Sequence, residues 1–283
     1  MSAARIIWKM ILDIIVLACV GFPLLALLLW VDPYERGYFA DDMSLRLPYK
    51  EQQITILALA LSGFGFIIAT ILVVEIVRDK SGVGVGEKFL GSSLVPGWLW
   101  ESYKTIGIFV FGAACQQLTS DFAKPVIGRL RPHFFDVCGP VSTSDTHALG
   151  TYVSSYRCTL NLDNPSLLKD MKLSFPSSHA SFSMYCAFFF IFYIQVRGKW
   201  RGSKLLRHAF QFAVLLAAWY IGLSRVVDHM HHWSDVAAGF AIGAAYGCLV
   251  FIFVLKPKKY STLPSHWEEP VPTNTLPRAA LAR

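Results

Sequence analysis

Apolar residues in this chain run in six long blocks, at 6–31, 54–77, 102–122, 179–196, 208–224 and 235–255, separated by polar and turn-forming stretches. A bilayer-spanning helix needs roughly 20 such residues. The pattern therefore predicts an all-α polytopic membrane protein with six transmembrane helices and a helical-bundle core. A cleavable leader is the rival for the first block, but its apolar core is too long and further spans follow it.

The flanking charges set a direction. Arg197, Lys199, Arg201, Lys204 and Arg207 share one loop with no acidic residue, and Lys256, Lys258 and Lys259 follow the last block at once. Basic loops stay cytoplasmic. Both termini and the loop near 80–88 are then cytoplasmic as well, while 124–178 and 224–235 face the outside or a lumen. Residues 1–259 read as one transmembrane domain, and the proline-rich, polar 260–283 as a disordered cytoplasmic tail. The plasma membrane is the expected home, with endoplasmic reticulum and Golgi as alternatives.

Composition agrees: 54% of the 283 residues are hydrophobic and 16% charged, too apolar for an ordinary soluble domain. The formal charge of +7 divides between cytoplasmic anchors and an anion site. No basic stripe with interleaved aromatics occurs, so nucleic acid is not an expected partner. Gly82, Gly84 and Gly86 lack the strand-to-helix setting of a nucleotide loop and read as a linker. Four cysteines, Cys19, Cys115, Cys186 and Cys248, lie in apolar blocks as packing residues. Cys138 and Cys158 share the outward loop, where a disulfide is permitted.

Three polar clusters interrupt the apolar pattern. The densest is Ser224-Arg225-Val226-Val227-Asp228-His229-Met230-His231-His232-Trp233-Ser234-Asp235. If it is helical, His231 and Asp235 stand four apart on one face, so the carboxylate can orient the imidazole as a base or nucleophile. Arg225 keeps its charge at ordinary pH and suits an anion beside that ring. Asp235 as a plain helix cap is the simpler alternative. A metal held by His229, His231, His232 and Asp235 is another, but the spacing matches no common zinc pattern.

The second cluster follows the third block: Lys124-Pro125-Val126-Ile127-Gly128-Arg129-Leu130-Arg131-Pro132. A short helix between the prolines would put Lys124 and Arg131 on one face, as paired cations for an anion. The third cluster is Phe175-Pro176-Ser177-Ser178-His179, just before the fourth block. Serine there is first a cap, yet free amides at a helix start also bind phosphate, with His179 beside it.

Together the clusters resemble the type 2 phosphatidic acid phosphatase superfamily: lysine, six residues, Arg-Pro; then Pro-Ser-Gly-His; then Ser-Arg, five residues, His, three residues, Asp. Here the matching residues are Lys124, Arg131 and Pro132; Pro176, Ser177 and His179; and Ser224, Arg225, His231 and Asp235. Within the superfamily the chain looks like an animal lipid phosphate phosphatase. Ser178 replaces the usual glycine, and Asn161 and Asn164 form no glycosylation sequon.

The resemblance implies hydrolysis of lipid phosphate monoesters without metal or cofactor: phosphatidic acid, lysophosphatidic acid, sphingosine 1-phosphate or ceramide 1-phosphate. His231 would attack phosphorus, Asp235 orient it and His179 protonate the leaving alkoxide. Lys124, Arg131, Ser177, Ser178 and Arg225 would hold the phosphate. A phosphotransferase and a catalytically silent lipid-binding scaffold remain alternatives. The expected partners are the lipid substrate and the bilayer, and a homo-oligomer is left open.

Overall fold

The computed structural model describes residues 3–84, 86–90, 93–143, 150–198 and 202–255. Lys199, Arg201, the lysines from 256 onward and the expected tail lie outside the described residues. In chain order the elements are α1 (Ala3–Trp30), β1 (Tyr38–Phe39), α2 (Ile56–Lys80), β2 (Lys88–Leu90), β3 (Ser93–Val95) and α3 (Gly97–Ile127). The segment after α3 supplies α4 (Phe134–Cys138), β4 (Pro140–Ser142), β5 (Tyr152–Val153), β6 (Tyr156–Cys158) and α5 (Pro165–Asp170). Then come α6 (Ser178–Arg197), α7 (Lys204–Val227) and α8 (Trp233–Leu249), which runs into a π-helical turn at Val250–Leu255.

Five of these helices, α1, α2, α6, α7 and α8 with its π-helical turn, are long and apolar enough to cross a membrane. The chain is an integral membrane protein. The expected third block is helical too, as the 31-residue α3, but it falls short of the apolarity of the other five. The reason is where its polar residues point. Glu101, Thr105, Gln116 and Ser120 are all buried inside the bundle, the arrangement by which polar groups are tolerated at membrane depth.

Helix α6 is the central element, with two thirds of its apolar window buried. Its close partner is α8, and the sequence shows why: Gly239, Gly243 and Gly247 recur every fourth residue along one face. A Cβ on Gly239 or Gly243 would strike the carbonyl oxygens of Ser177 and Ser181. Small residues let the backbones meet, and Ser177 N–H then donates to the Asp235 carbonyl at 3.1 Å. Thus the starts of α6 and α8 lie side by side.

At the far end of the bundle, buried charges tie three helices together. Arg197 of α6 pairs with Glu101 of α3 at 2.9 Å and with Glu75 of α2 at 3.5 Å, while Tyr193 donates to Glu75 at 2.9 Å. Breaking one partner of such a cluster costs about 3–5 kcal/mol.

The segments between α1 and α2 and between α3 and α6 share a small core of Tyr38, Leu45, Leu130, Phe134, Val137, Val153 and Met171. Two antiparallel pairs brace it: β1 with β5, in register Tyr38 to Val153, and β4 with β6, in register Pro140 to Cys158. A disulfide joins Cys138 to Cys158 beside that second pair.

Candidate active site

The site forms where α3 ends and α6 and α8 begin. Gly128, at φ 60°, closes α3 in a left-handed cap, and its N–H donates to the Lys124 carbonyl at 2.9 Å. Glycine adopts that conformation without penalty. Lys124 therefore belongs to the last turn of α3, with Pro125 inside the helix rather than opening a new one. The short helix expected between Pro125 and Pro132 is not formed, so Arg131 reaches the site by another route. Residues 129–131 run alongside 171–174, with Arg131 N–H on the Met171 carbonyl at 2.8 Å and Ser174 N–H on the Arg129 carbonyl at 3.0 Å.

The α7–α8 turn is equally specific. His229 takes φ 57°, which reverses the chain after α7. The amides of Met230 and His231 then both reach back to the Arg225 carbonyl, at 3.0 and 3.3 Å. Helix α8 starts only at Trp233, where His232 and Asp235 form a capping box. His231 thus precedes the helix, and the shared helical face expected for His231 and Asp235 is replaced by a turn. Their side chains still approach, Nδ1 to Oδ2, to 3.8 Å.

These segments surround a cavity of about 920 Å³, whose wall includes Lys124, Arg131, Ser178, His179, Arg225 and His231. Each cation is held by a carboxylate: Lys124 by Asp121 at 2.9 Å, Arg131 by Asp170 at 2.7 Å, Arg225 by Asp228 at 2.7 Å. Arg225 Nη1 also donates to the Ile54 carbonyl at 3.0 Å, and His179 Nε2 donates to that same oxygen at 3.1 Å. Ser178 Oγ donates to Asp121 at 3.2 Å. Ser178 opens α6 with ordinary helical backbone, so no left-handed conformation there calls for the usual glycine.

His231 Nδ1 lies 2.6 Å from the Ser174 carbonyl oxygen. A carbonyl only accepts, so Nδ1 carries the proton and Nε2 the lone pair. Burial pushes the His231 pKa down to about 4 and keeps the ring neutral at pH 7. Asp235 stands behind the ring: it accepts from Ser174 Oγ at 2.6 Å, Arg129 Nη1 at 2.6 Å and the His232 amide at 2.9 Å. Asp235 and Ser177 are fully buried and do not line the cavity. Ser177 instead caps α6, its Oγ accepting from Ala180 N–H.

The chain's polar clusters are thus brought together around one cavity. Sequence reasoning missed Asp121, Asp170, Asp228, Arg129 and Ser174. Asp121 and Asp228 carried a signal, each three residues from the cation it holds. Asp170 and Ser174 carried none, since loop packing brings them in. The histidine-rich turn engages its rings separately: His229 Nδ1 meets the Pro48 carbonyl at 2.8 Å and His232 Nδ1 meets Asp235 at 3.2 Å. Among the described residues no three His, Cys, Asp or Glu side chains converge as metal ligands.

Residues 105–259 match the PAP2 superfamily. Mouse phospholipid phosphatase 1 is 36% identical over 272 residues, 96% of this chain and 93% of its own length. Mouse phospholipid phosphatase 2 is 37% identical over 244 residues, 86% of this chain and 85% of its own. A Drosophila melanogaster protein whose name proposes a phosphatidate phosphatase is 40% identical over 262 residues, 88% of this chain and 69% of its own. No solved structure matches the chain. The chain belongs to the PAP2 superfamily, a superfamily of phosphatases.

Proposed function

We propose that the protein hydrolyses lipid phosphate monoesters through a phosphohistidine on His231, at the extracellular or luminal face of a membrane crossed six times. The observation that carries the reading is the composition of the cavity wall. Its lining combines the cations Lys124, Arg131, Lys169 and Arg225 and the histidines His179 and His231 with Leu24, Leu27 and Leu28 of α1, the adjoining Val31 and Ile56 of α2. A cavity lined by both charged and aliphatic residues fits a phosphate attached to an acyl or sphingoid chain. The names of the relatives point to the same substrate class.

His231 Nε2 attacks phosphorus as the bond from phosphorus to the lipid oxygen breaks. His179 acts as an imidazolium: it gives its Nε2 proton to the departing alkoxide, and the neutral ring then takes a proton from the water that cleaves the phosphorus–nitrogen bond. Inorganic phosphate leaves and both rings regain their starting states. Lys124, Arg131 and Arg225 take charge on the phosphate oxygens, sharing their hydrogen bonds between it and their carboxylates. Asp235 acts through Ser174 and the His232 turn. The cations carry the charge that a metal supplies elsewhere, and no cofactor is required.

Six crossings follow from counting α3 as a span, since its 31 residues suffice and Glu101, Thr105, Gln116 and Ser120 are buried. The basic residues Arg197, Lys204 and Arg207 at the end opposite the cavity support a cytoplasmic assignment of that end. The test is release of inorganic phosphate by the purified protein from long-chain lipid phosphates with chelator present. Turnover with a vanadate-sensitive phosphoenzyme supports the reading; loss on chelation, restored by one divalent ion, sinks it.

A further inference from the structure

Arg131 and His133 hold two consecutive carbonyls of the turn that carries His231. Arg131 Nη1 donates to the Met230 carbonyl at 3.3 Å, and His133 Nδ1 donates to the His229 carbonyl at 2.9 Å. His133 is fully buried, its ring meeting Tyr49 edge-on at 5.1 Å between centroids. Because the carbonyl can only accept, Nδ1 bears the proton. Nε2 is left as a bare lone pair with no hydrogen-bond partner. Among the described residues, the one hydrogen bond of the His133 ring is therefore to the turn. That turn needs holding: His229 sits at φ 57°, a region where a β-carbon is unwelcome, and besides His133 and Arg131 it is braced by the His229 ring on the Pro48 carbonyl and by backbone bonds to the end of α7.

We infer that His133 is a positioning residue for the phosphatase reaction: its Nδ1–H fixes the left-handed turn at His229 and so aims His231, two residues on, at the phosphate. Arg131 and His133 then couple the phosphate cation and the nucleophile through one short segment. The inference rests on the reading of His231 as nucleophile.

The test compares two amides in the full-length protein. The amide nitrogen of His133→Asn falls where Nδ1 was, whereas that of His133→Gln reaches past it. Rapid quench with labelled lipid phosphate gives the rate of phosphoenzyme formation. His133→Asn should stay within about threefold of the parent and His133→Gln fall about 10- to 100-fold, the scale of a slightly misplaced nucleophile. Similar rates for the two in folded protein, whether both fast or both slow, would overturn the inference. If His133→Gln does not fold, His133→Asn decides alone: a rate retained supports the inference, and a rate lost in folded protein overturns it. His231→Ala is the control for the underlying reading. A phosphoenzyme there would bring down that reading and the inference with it.

Discussion

His231 is oriented by Ser174 before it is oriented by Asp235. Its Nδ1 is 2.6 Å from the Ser174 carbonyl oxygen, against 3.8 Å to the Asp235 carboxylate. Ser174 joins the two residues, since its hydroxyl donates to Asp235 at 2.6 Å. The backbone carbonyl survives any side-chain change, so Ser174→Ala removes one hydrogen bond to a carboxylate and should lower kcat by no more than about 10- to 100-fold. Asp235→Ala is different. It strips the partner from Arg129, from Ser174 and from the start of α8, leaving a half-buried cation. Loss of stability of about 3 kcal/mol is expected, at the low end for broken buried pairs because Arg129 keeps partial contact with water. Thermal inactivation in detergent and steady-state rates check both; an Asp235→Ala protein as stable as its parent would show that the capping box is decoration.

His133 and His231 share a titration behaviour with a definite sign. Burial, the largest cause for each, lowers both from an ordinary value near 6.5 to about 4. Between those limits the unfolded chain binds protons that the native chain refuses, so stability should be complete above pH about 6.5 and decline as the pH falls toward 4. His133→Asn removes one of the two groups and should flatten the decline. Half-lives at elevated temperature, measured across that pH window for both proteins, give the comparison.

The Cys138–Cys158 bond closes a loop with a sequence separation of 20. Constraining such a loop is worth about 3 kcal/mol, and Cys138→Ala should lose a comparable amount. The pair also reports sidedness, because a cytosolic loop would be kept reduced. Mass spectrometry of an unreduced digest from intact cells should find the two peptides linked; two free thiols would place the loop, and the site with it, in the cytoplasm.

How far the sequence is legible varies by element. The apolar blocks for α1, α2, α6, α7 and α8 carry their identity in composition alone, because lipid contact demands it. Helix α3 does not: buried Gln116 and Ser120 both meet Ser181 of α6, and Glu101 pairs with Arg197, so its polar residues dilute the block. In the site, Lys124, Arg131, Ser178, His179, Arg225 and His231 line the cavity while Ser177 and Asp235 do not, in a geometry that helical spacing does not give. Gly128 ends α3 one turn after Lys124, and His229 breaks the helix before His231, both through left-handed backbone that residue spacing does not reveal. Asp170 and Ser174 come from the segment between α3 and α6, outside the long apolar blocks. Only the packing of 171–174 against 129–131 puts them beside Arg131 and His231.

The two cavity histidines should separate by leaving group. If His231 forms the bond to phosphorus, His231→Ala yields no phosphoenzyme from any substrate, however easily its leaving group departs. If His179 supplies the proton, its value depends on the basicity of the departing oxygen. A lipid alkoxide needs that proton, while a nitrophenolate hardly does. His179→Ala should therefore lose roughly 100- to 10,000-fold on a lipid phosphate and far less on an aryl phosphate. The resting geometry adds a second expectation. His179 and Arg225 share the Ile54 carbonyl, at 3.1 and 3.0 Å, so removing the imidazole leaves Arg225 anchored by Ile54 and Asp228 together. Phosphate affinity, read from vanadate inhibition, should then change little in His179→Ala. Equal losses on lipid and aryl substrates in folded protein would assign His179 to holding the phosphate rather than to proton transfer. Recovery of His231→Ala by the aryl substrate would reverse the two roles.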